Sequence, residues 1–448
     1  MLEHLFIAQD YFLKFIIIPI LITVGVFTSF KLRWVHIINL TTAIKLLFQS
    51  SDVKSRKNMS SFAAFSAILG GNLGVGNISG TAIALSTGGP GSIFWMAVII
   101  LLTSIIKYVS CFLGLEYRIK RNNRFIGGPM HFMREGLNSK ALPILFCIAT
   151  ILSAITGGNF IQVNSLTLPM EENFGISPIY GGFFISFIVA LVILAGLKGF
   201  AHIVSNVVPF MATSYILLCL YILIVNSSKI IPAFSLIFSS IFASNNLHGA
   251  FVGFAWMQFF SVVQVGASRA IFATDIGVGL EAILHSNVKQ KKGHILPLSV
   301  EQGLISVLSP FIVLIVCFIT ALVLIVTNVW ASGLDSTNMC FEAFKIGIGS
   351  NLAGYFLMIV LFCFAFTTIL TWVFCADRSV EYLTNYNSRI LKIWRVFFIF
   401  IMPLGSVLNV YLAWKFADFA YSLSVTTNLI AIVFLLGTVT RKTKETFA

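Results

Sequence analysis

Charge is what this chain has least of. Aspartate, glutamate, lysine and arginine make up 10% of its 448 residues, while 58% are hydrophobic and the mean hydropathy is +0.95. A soluble globular domain carries about a quarter charged residues, so that class is excluded. Alternation of polar and apolar residues is missing too, which excludes a membrane β-barrel. The seven cysteines, Cys111, Cys147, Cys219, Cys317, Cys340, Cys363 and Cys375, are scattered with no CxxC pair, so they read as small apolar packing residues. The histidines are dispersed, and HExxH, GxSxG and Walker A patterns are absent, so an integral-membrane enzyme is not expected and no cofactor is implied.

What is present is a series of apolar runs of about 20 residues, each long enough to cross a hydrocarbon core as a helix. The reading is an all-α polytopic membrane protein with eleven spans, near 13–30, 62–85, 93–115, 142–166, 179–197, 203–226, 249–284 (long and interrupted), 298–329, 351–376, 393–411 and 413–437. The first run has Glu3 and Asp10 in its leader and basic residues after it, the reverse of a signal peptide, and is expected to stay as a helix.

The net charge of +13 reflects topology. Alternate connections hold Lys31, Arg33, Lys45, Lys54, Arg56 and Lys57; Arg118, Lys120, Arg121, Arg124, Arg134 and Lys140; Lys198; Lys289, Lys291 and Lys292; Arg378, Arg389, Lys392 and Arg395; and Arg441, Lys442 and Lys444. The opposite loops hold only Lys229 and Lys345, beside Glu171, Glu172, Asp335 and Glu342. The positive-inside rule then places the N-terminus outside and the C-terminus in the cytoplasm. The bilayer is the expected partner, and nucleic acid is not.

Set aside residues 1–61, an extra N-terminal span and its basic loop, and ten spans remain before a cytoplasmic tail at 438–448. They divide into two fives, 62–226 and 249–437. An odd number per unit inverts the second unit relative to the first. Each unit opens with an apolar segment interrupted by glycine: "LGGNLGVGNISG" at 69–80 and "GASRAIFATDIGVG" at 266–279. Such pairs in corresponding positions point to the binding site of a secondary transporter. Unwinding a helix in the bilayer frees amides, which attract a carboxylate, and carbonyls, which coordinate a small cation. The same glycines also fit small-xxx-small packing, and Asn72 or Asn77 fits a bond between helices.

"GVGNISGTAIALSTGGPGSIFWM" (74–96) resembles the signature of the alanine or glycine:cation symporter family, the sodium:alanine symporters. Similar stretches follow in order: "KYVSCFLGLEYR" (107–118), "GGPMHFM" (127–133), "GGNFIQVNS" (157–165), "GASRAIFATDIGVG", "EQGL" (301–304), "CFITALVLI" (317–325) and "FAFTTILTWVFCADRSVEYL" (364–383). The resemblance implies a LeuT-type fold of eleven helices, with a 5+5 inverted repeat plus one N-terminal helix. It also implies Na⁺-coupled uptake of small neutral amino acids (alanine, glycine, serine or D-alanine) by a chain expected to work as a monomer. For Na⁺ it implies the carbonyls of Gly70 and Leu73 with Thr367 and Thr368, an all-oxygen set suited to a hard cation. For the amino acid it implies the backbone around Val75 and Gly76, with Asn77, Gln162 and Trp372. On the second break, Ile271, Phe272, Thr274 and Gly277 are the expected pocket wall. From residue type alone the threonines also fit bonds to their own helix, Gln162 fits interhelical bonding, and Trp372 fits packing.

The chain departs from the family's pattern at several places. Ala273, Thr274 and Asp275 stand where a serine, an asparagine and a glutamate are usual, Glu281 adds a carboxylate, and Val75, Ser110 and Thr371 replace a threonine, an acid and a glycine. Proton coupling, or a sensor or uncoupled channel on the same fold, is therefore the alternative. Ionisable residues in spans are functional candidates by default. Arg269 and Asp275, six residues apart, are read as a gating pair toward the cytoplasmic side, and Lys107 as snorkelling or meeting a carboxylate.

Overall fold

A computed structural model describes residues 9, 11–49, 59–121, 124–242, 252–289, 296–334 and 336–447. Glu3, Asp10, Lys54, Arg56, Lys57, Lys291, Lys292 and Asp335 lie outside these, as do 249–251 of the seventh expected span. Because apolar surroundings leave backbone groups no solvent partner, the described residues satisfy them internally as helices; the exception is the hairpin β1 (Ile119–Arg121) and β2 (Arg124–Ile126). Nine helical stretches are long and apolar enough to cross a membrane among the described residues.

In chain order the helices are α1 (Ile18–Lys31), α2 (Ser61–Asn72), α3 (Val75–Gly88), α4 (Gly91–Thr103), α5 (Ile105–Glu116), α6 (Ala141–Ile155), α7 (Ile161–Phe174), α8 (Pro178–Val225), α9 (Val252–Thr274), α10 (Leu280–His285), α11 (Leu298–Val326), α12 (Ser336–Ile348), α13 (Asn351–Leu383), α14 (Ser388–Phe400) and α15 (Val410–Phe447). Shorter turns connect them. Helix α2 and the first turns of α3 are buried, and only the last turn of α3, with Ser86 and Thr87, reaches the surface. Helix α1 instead turns Phe27 and Phe30 outward, as a lipid-facing helix does.

Two stretches are more continuously helical than the sequence reading drew them. Residues 178–225 form one continuous 48-residue helix, so no turn breaks the chain near Lys198, although its apolar stretches Pro178–Ile193 and Gly199–Val225 remain distinct. Gly196 and Gly199 are absorbed into it, since a single helical glycine costs only about 1 kcal/mol and no turn chemistry accompanies them. The residues read as a tail continue α15 to Phe447. Lys442 there pairs with Glu116 at the end of α5.

The bundle has two distinguishable ends. At the basic end Arg118 donates to the carbonyls of Ser286 (3.1 Å) and Val288 (2.6 Å), and Met59 bridges to Val288. At the opposite end a cavity of about 600 Å³ opens among Ser86, Thr87, Gln264, Ser336, Tyr411 and Lys415. The two interrupted helices lie between these ends.

Candidate substrate and cation site

The first interruption falls at Leu73 and Gly74. Helix α2 ends at Asn72, Leu73 takes ψ 66°, Gly74 is extended, and α3 restarts at Val75. Several of the polar groups released there find local partners. Val75 N–H donates to Gln162 Oε1 (3.0 Å), and Gln162 Nε2 donates to the Gly157 carbonyl (3.1 Å). Asn77 Nδ2 donates to the Asn72 carbonyl (2.6 Å), tying the two halves across the gap. Gln162 thus reads the break from α7, immediately after a π-helical turn at Thr156–Phe160. Such turns insert one extra residue and are frequent at functional sites.

On the other side of the break, Thr368 Oγ1 donates to the Gly70 carbonyl across 2.8 Å. Thr367 divides its hydroxyl between its own helix, at Cys363 O (3.0 Å) and Phe364 O (3.3 Å), and Gly70 O at 3.4 Å. Gly70, Thr367 and Thr368 are therefore brought together, with Leu73 buried at the turn and its N–H bonded to Leu69 O. A methyl group added at Gly74 would lie 2.8 Å from both Thr368 Oγ1 and Gln162 Oε1, so the cation-side and amide-side groups converge on one point of the backbone.

Above the break four aromatic rings form a lid. Trp372 packs against Gly158 and lies 5.3 Å from Tyr421; Phe272 lies 4.9 Å from Tyr421 and 4.5 Å from Trp414. Phe272 also fills the space a side chain at Gly76 would need, so glycine is required there by contact. Of the four residues expected along the second break, only Phe272 is seen meeting the first break. Ile271 lines a small pocket with Leu13, Ile17 and Val425. Thr274 bonds its own helix at Ala270 O (2.7 Å), and Gly277 lies beside Leu21 and Val425.

The second interruption spans Asp275 to Gly279, with φ of 49°, 83° and 91° at Asp275, Gly277 and Gly279. Glycine relieves the left-handed strain at the latter two positions. Asn428 Nδ2 holds the turn by donating to the Gly277 carbonyl (2.8 Å).

The expected pairing of Arg269 with Asp275 is not what forms. Arg269 bonds Asp418 on α15 (3.1 Å), with its guanidinium 4.2 Å above the Trp414 ring. It faces the 600 Å³ cavity at the end opposite the basic hairpin. Six helical residues rotate a side chain by about 600° and shift it about 9 Å, which puts the two positions on different faces and levels. Lys107 does meet a carboxylate: its Nζ lies 3.8 Å from Glu281, both side chains fully buried. All seven cysteines are free.

Sequence reasoning missed the contribution of α15. Asp418 is an ionisable group inside an apolar run, a signal available in "KFADFAYSL". Trp414 and Tyr421 carried no such mark, because aromatics are ordinary in spans.

The profile of the sodium:alanine symporter family matches residues 2–447. The sodium/alanine symporter AgcS of Methanococcus maripaludis is 33% identical over 434 residues, covering 95% of this chain and 92% of that protein. The sodium/proton-dependent alanine carrier protein of Bacillus sp. strain PS3 is 28% identical over 407 residues, covering 85% and 86%. Among solved structures, MhsT in complex with L-phenylalanine superposes with a TM-score of 0.62 at 14% identity, covering 86% of this chain and 90% of that one. That likeness carries the fold. With the profile spanning all but its first and last residue, this chain belongs to the sodium:alanine symporter family.

Proposed function

We propose that this protein imports small neutral amino acids, alanine and glycine foremost, with Na⁺ by alternating access. The observation that carries the reading is the break at Leu73–Gly74. One unwound turn holds the amide end of α3 next to Gln162 and the Gly70 carbonyl next to Thr368. An amino-acid carboxylate fits the former, where helix polarity favours an anion. Na⁺ fits the latter, with Gly70 and Leu73 carbonyls and the two threonine hydroxyls as oxygen donors. Phe272 over Gly76 and Trp372 over Gly158 leave little room for a side chain, which favours alanine, glycine, serine or D-alanine as cargo. Size selection by apolar contact is worth roughly 1 to 3 kcal/mol per methylene, so these substrates overlap.

In the proposed cycle Na⁺ enters first and fixes α2 to α13, the amino acid binds beside it, and the bundle rocks. Each Na⁺ moved down 100 mV supplies about 2.3 kcal/mol before any concentration gradient. Arg269 and Asp418, seated over Trp414, act as the gate between the pocket and the large cavity. The N-terminus lies outside and the C-terminus in the cytoplasm of a bacterial inner membrane; the eleven-helix 5+5 arrangement and a monomeric working unit complete the reading.

Counterflow of labelled alanine in proteoliposomes, with and without a Na⁺ gradient, tests it. Alanine flux that rises with the Na⁺ gradient is the expected result. No flux in either condition overturns the transport reading, and flux indifferent to Na⁺ overturns the coupling.

A further inference from the structure

The corner that follows α1 stands apart from both the cation site and the substrate site. Helix α1 stops at Lys31, and two successive left-handed residues, Arg33 (φ 51°) and Trp34 (φ 55°), fold the chain back into the short helix Val35–Ile38. Neither is glycine, so hydrogen bonds rather than backbone freedom hold the corner. Trp34 N–H donates to the Ser29 carbonyl (2.8 Å) and Val35 N–H to the Leu32 carbonyl (3.2 Å). Opposite lies the last turn of α15. It is fixed by Lys442, paired with Glu116 of α5, and by Thr443, whose hydroxyl bonds Tyr108 (2.8 Å).

Between the corner and that turn is a cavity of about 430 Å³. Leu32, Val35, Ile38 and Phe447 form its apolar wall, and Arg33 and Lys444 bring two cations to it. Lys444 comes two residues after Lys442, about 200° further round the helix, and so faces away from Glu116. Among the described residues no carboxylate forms an ion pair with Arg33 or Lys444, whereas Lys442, Arg378 and Arg395 at the same end are all paired. The neighbouring acid, Glu445, does not line the cavity. The apolar wall leads outward: Ile38 is 69% exposed, and Phe447, Phe27 and Phe30 are exposed as well. Lys31 lies 5.5 Å from the Phe27 ring centroid, a cation over the end of the lipid-facing surface of α1. The cavity therefore sits where hydrocarbon gives way to headgroups.

We propose that this cavity binds an anionic phospholipid, with its phosphate between Arg33 and Lys444 and an acyl chain against Ile38 and Phe447. Basic pockets between spanning helices on the cytoplasmic side select anionic headgroups, and the proposed topology puts this end in the cytoplasm. The planar guanidinium of Arg33 suits phosphate oxygens. A free phosphate would use the two cations and leave the apolar wall in water; a lipid uses both. Once bound, the lipid joins the corner after the first spanning helix to the end of the last one. The inference is independent of what the protein transports and needs only that the chain lie in a bilayer.

The test titrates detergent-purified full-length protein with phosphatidylglycerol or phosphatidylcholine and counts bound lipid by native mass spectrometry. Wild type should bind phosphatidylglycerol about tenfold or more tightly than phosphatidylcholine, since only the former leaves a net negative headgroup for the two cations. Arg33→Gln combined with Lys444→Gln should weaken phosphatidylglycerol about 25-fold, about fivefold for each cation, and leave phosphatidylcholine unchanged. Arg389→Gln combined with Lys392→Gln removes two exposed cations from α14 at the same end and should change neither lipid. Equal affinity for the two lipids in wild type, or selectivity retained in the Arg33 and Lys444 variant, overturns the site. Displacement of the lipid by inorganic phosphate assigns the cations to a soluble anion and overturns it too. Thermal unfolding gives a second readout. Phosphatidylglycerol should raise the midpoint of wild type and of the α14 variant but not that of the Arg33 and Lys444 variant, and an equal rise in all three overturns the proposal.

Discussion

Thr368 donates its hydroxyl hydrogen to the carbonyl of Gly70 across 2.8 Å, joining an unbroken helix to one that is two residues from ending. The hydroxyl oxygen and the carbonyl oxygen thus face the same point, the arrangement a bare monovalent cation would bridge. Replacing Thr368 by Ala should raise the Na⁺ concentration needed for half-maximal uptake by about tenfold, the equivalent of one hydrogen bond or ion–dipole contact. Thr368→Ser should restore most of it. A Na⁺ titration of alanine uptake unaffected by Thr368→Ala would remove the cation from this position.

Gly76 lies under the ring of Phe272, which leaves no space for a methyl group. Gly76→Ala should weaken alanine binding by the cost of overpacking, about 1 to 3 kcal/mol. Combining it with Phe272→Leu should recover part of the loss. Equilibrium binding of labelled alanine to the four proteins of this cycle measures the coupling, and strict additivity would show that the contact does not matter.

Gln162 presents its oxygen to the Val75 amide at 3.0 Å, the group proposed to meet the substrate carboxylate. Gln162→Glu therefore sets an anion beside an anion. Binding should be weak at neutral pH, where the new carboxylate is ionised, and should recover as pH falls and it takes up a proton. The wild type should lack that recovery. Affinity measured at several pH values separates the two.

Arg269 and Asp418 form an ion pair lining the 600 Å³ cavity, where they are proposed to act as a gate. Asp418→Asn should loosen this contact, so that a cysteine introduced at Ser268 reacts several-fold faster with a thiol reagent added from the cavity side. The exchanged pair, Arg269→Asp with Asp418→Arg, should slow it again. Equal labelling rates in all three would mean that the ion pair is not a gate.

The spans and the first interruption were legible because each rests on local chemistry: apolar runs of helix length, and a cluster of glycine and asparagine within one of them. The partner of Arg269 was not, because Asp418 lies 149 residues away and the nearer Asp275 offered a plausible charge. Nor was the fate of the second break's residues. Ile271, Phe272 and Thr274 are close in sequence, yet helical rotation sends one toward α1, one to Gly76 and one back to its own helix. The continuity of α8 was not legible because single glycines and one lysine resemble a turn, while lacking its proline or asparagine.

Asp418, Tyr421, Val425 and Asn428 follow one another at intervals of three, four and three residues, along one flank of the uninterrupted α15. The first bonds Arg269, the second lines the aromatic lid, and the last clasps the turn at Gly277. In the proposed rocking cycle, a stiff rod touching latch, roof and hinge would move them as a seesaw, so that tilting its upper end away from Arg269 would shift its lower end against Gly277 in the same stroke. Such a coupling would keep the molecule from standing ajar at both faces without any dedicated brake.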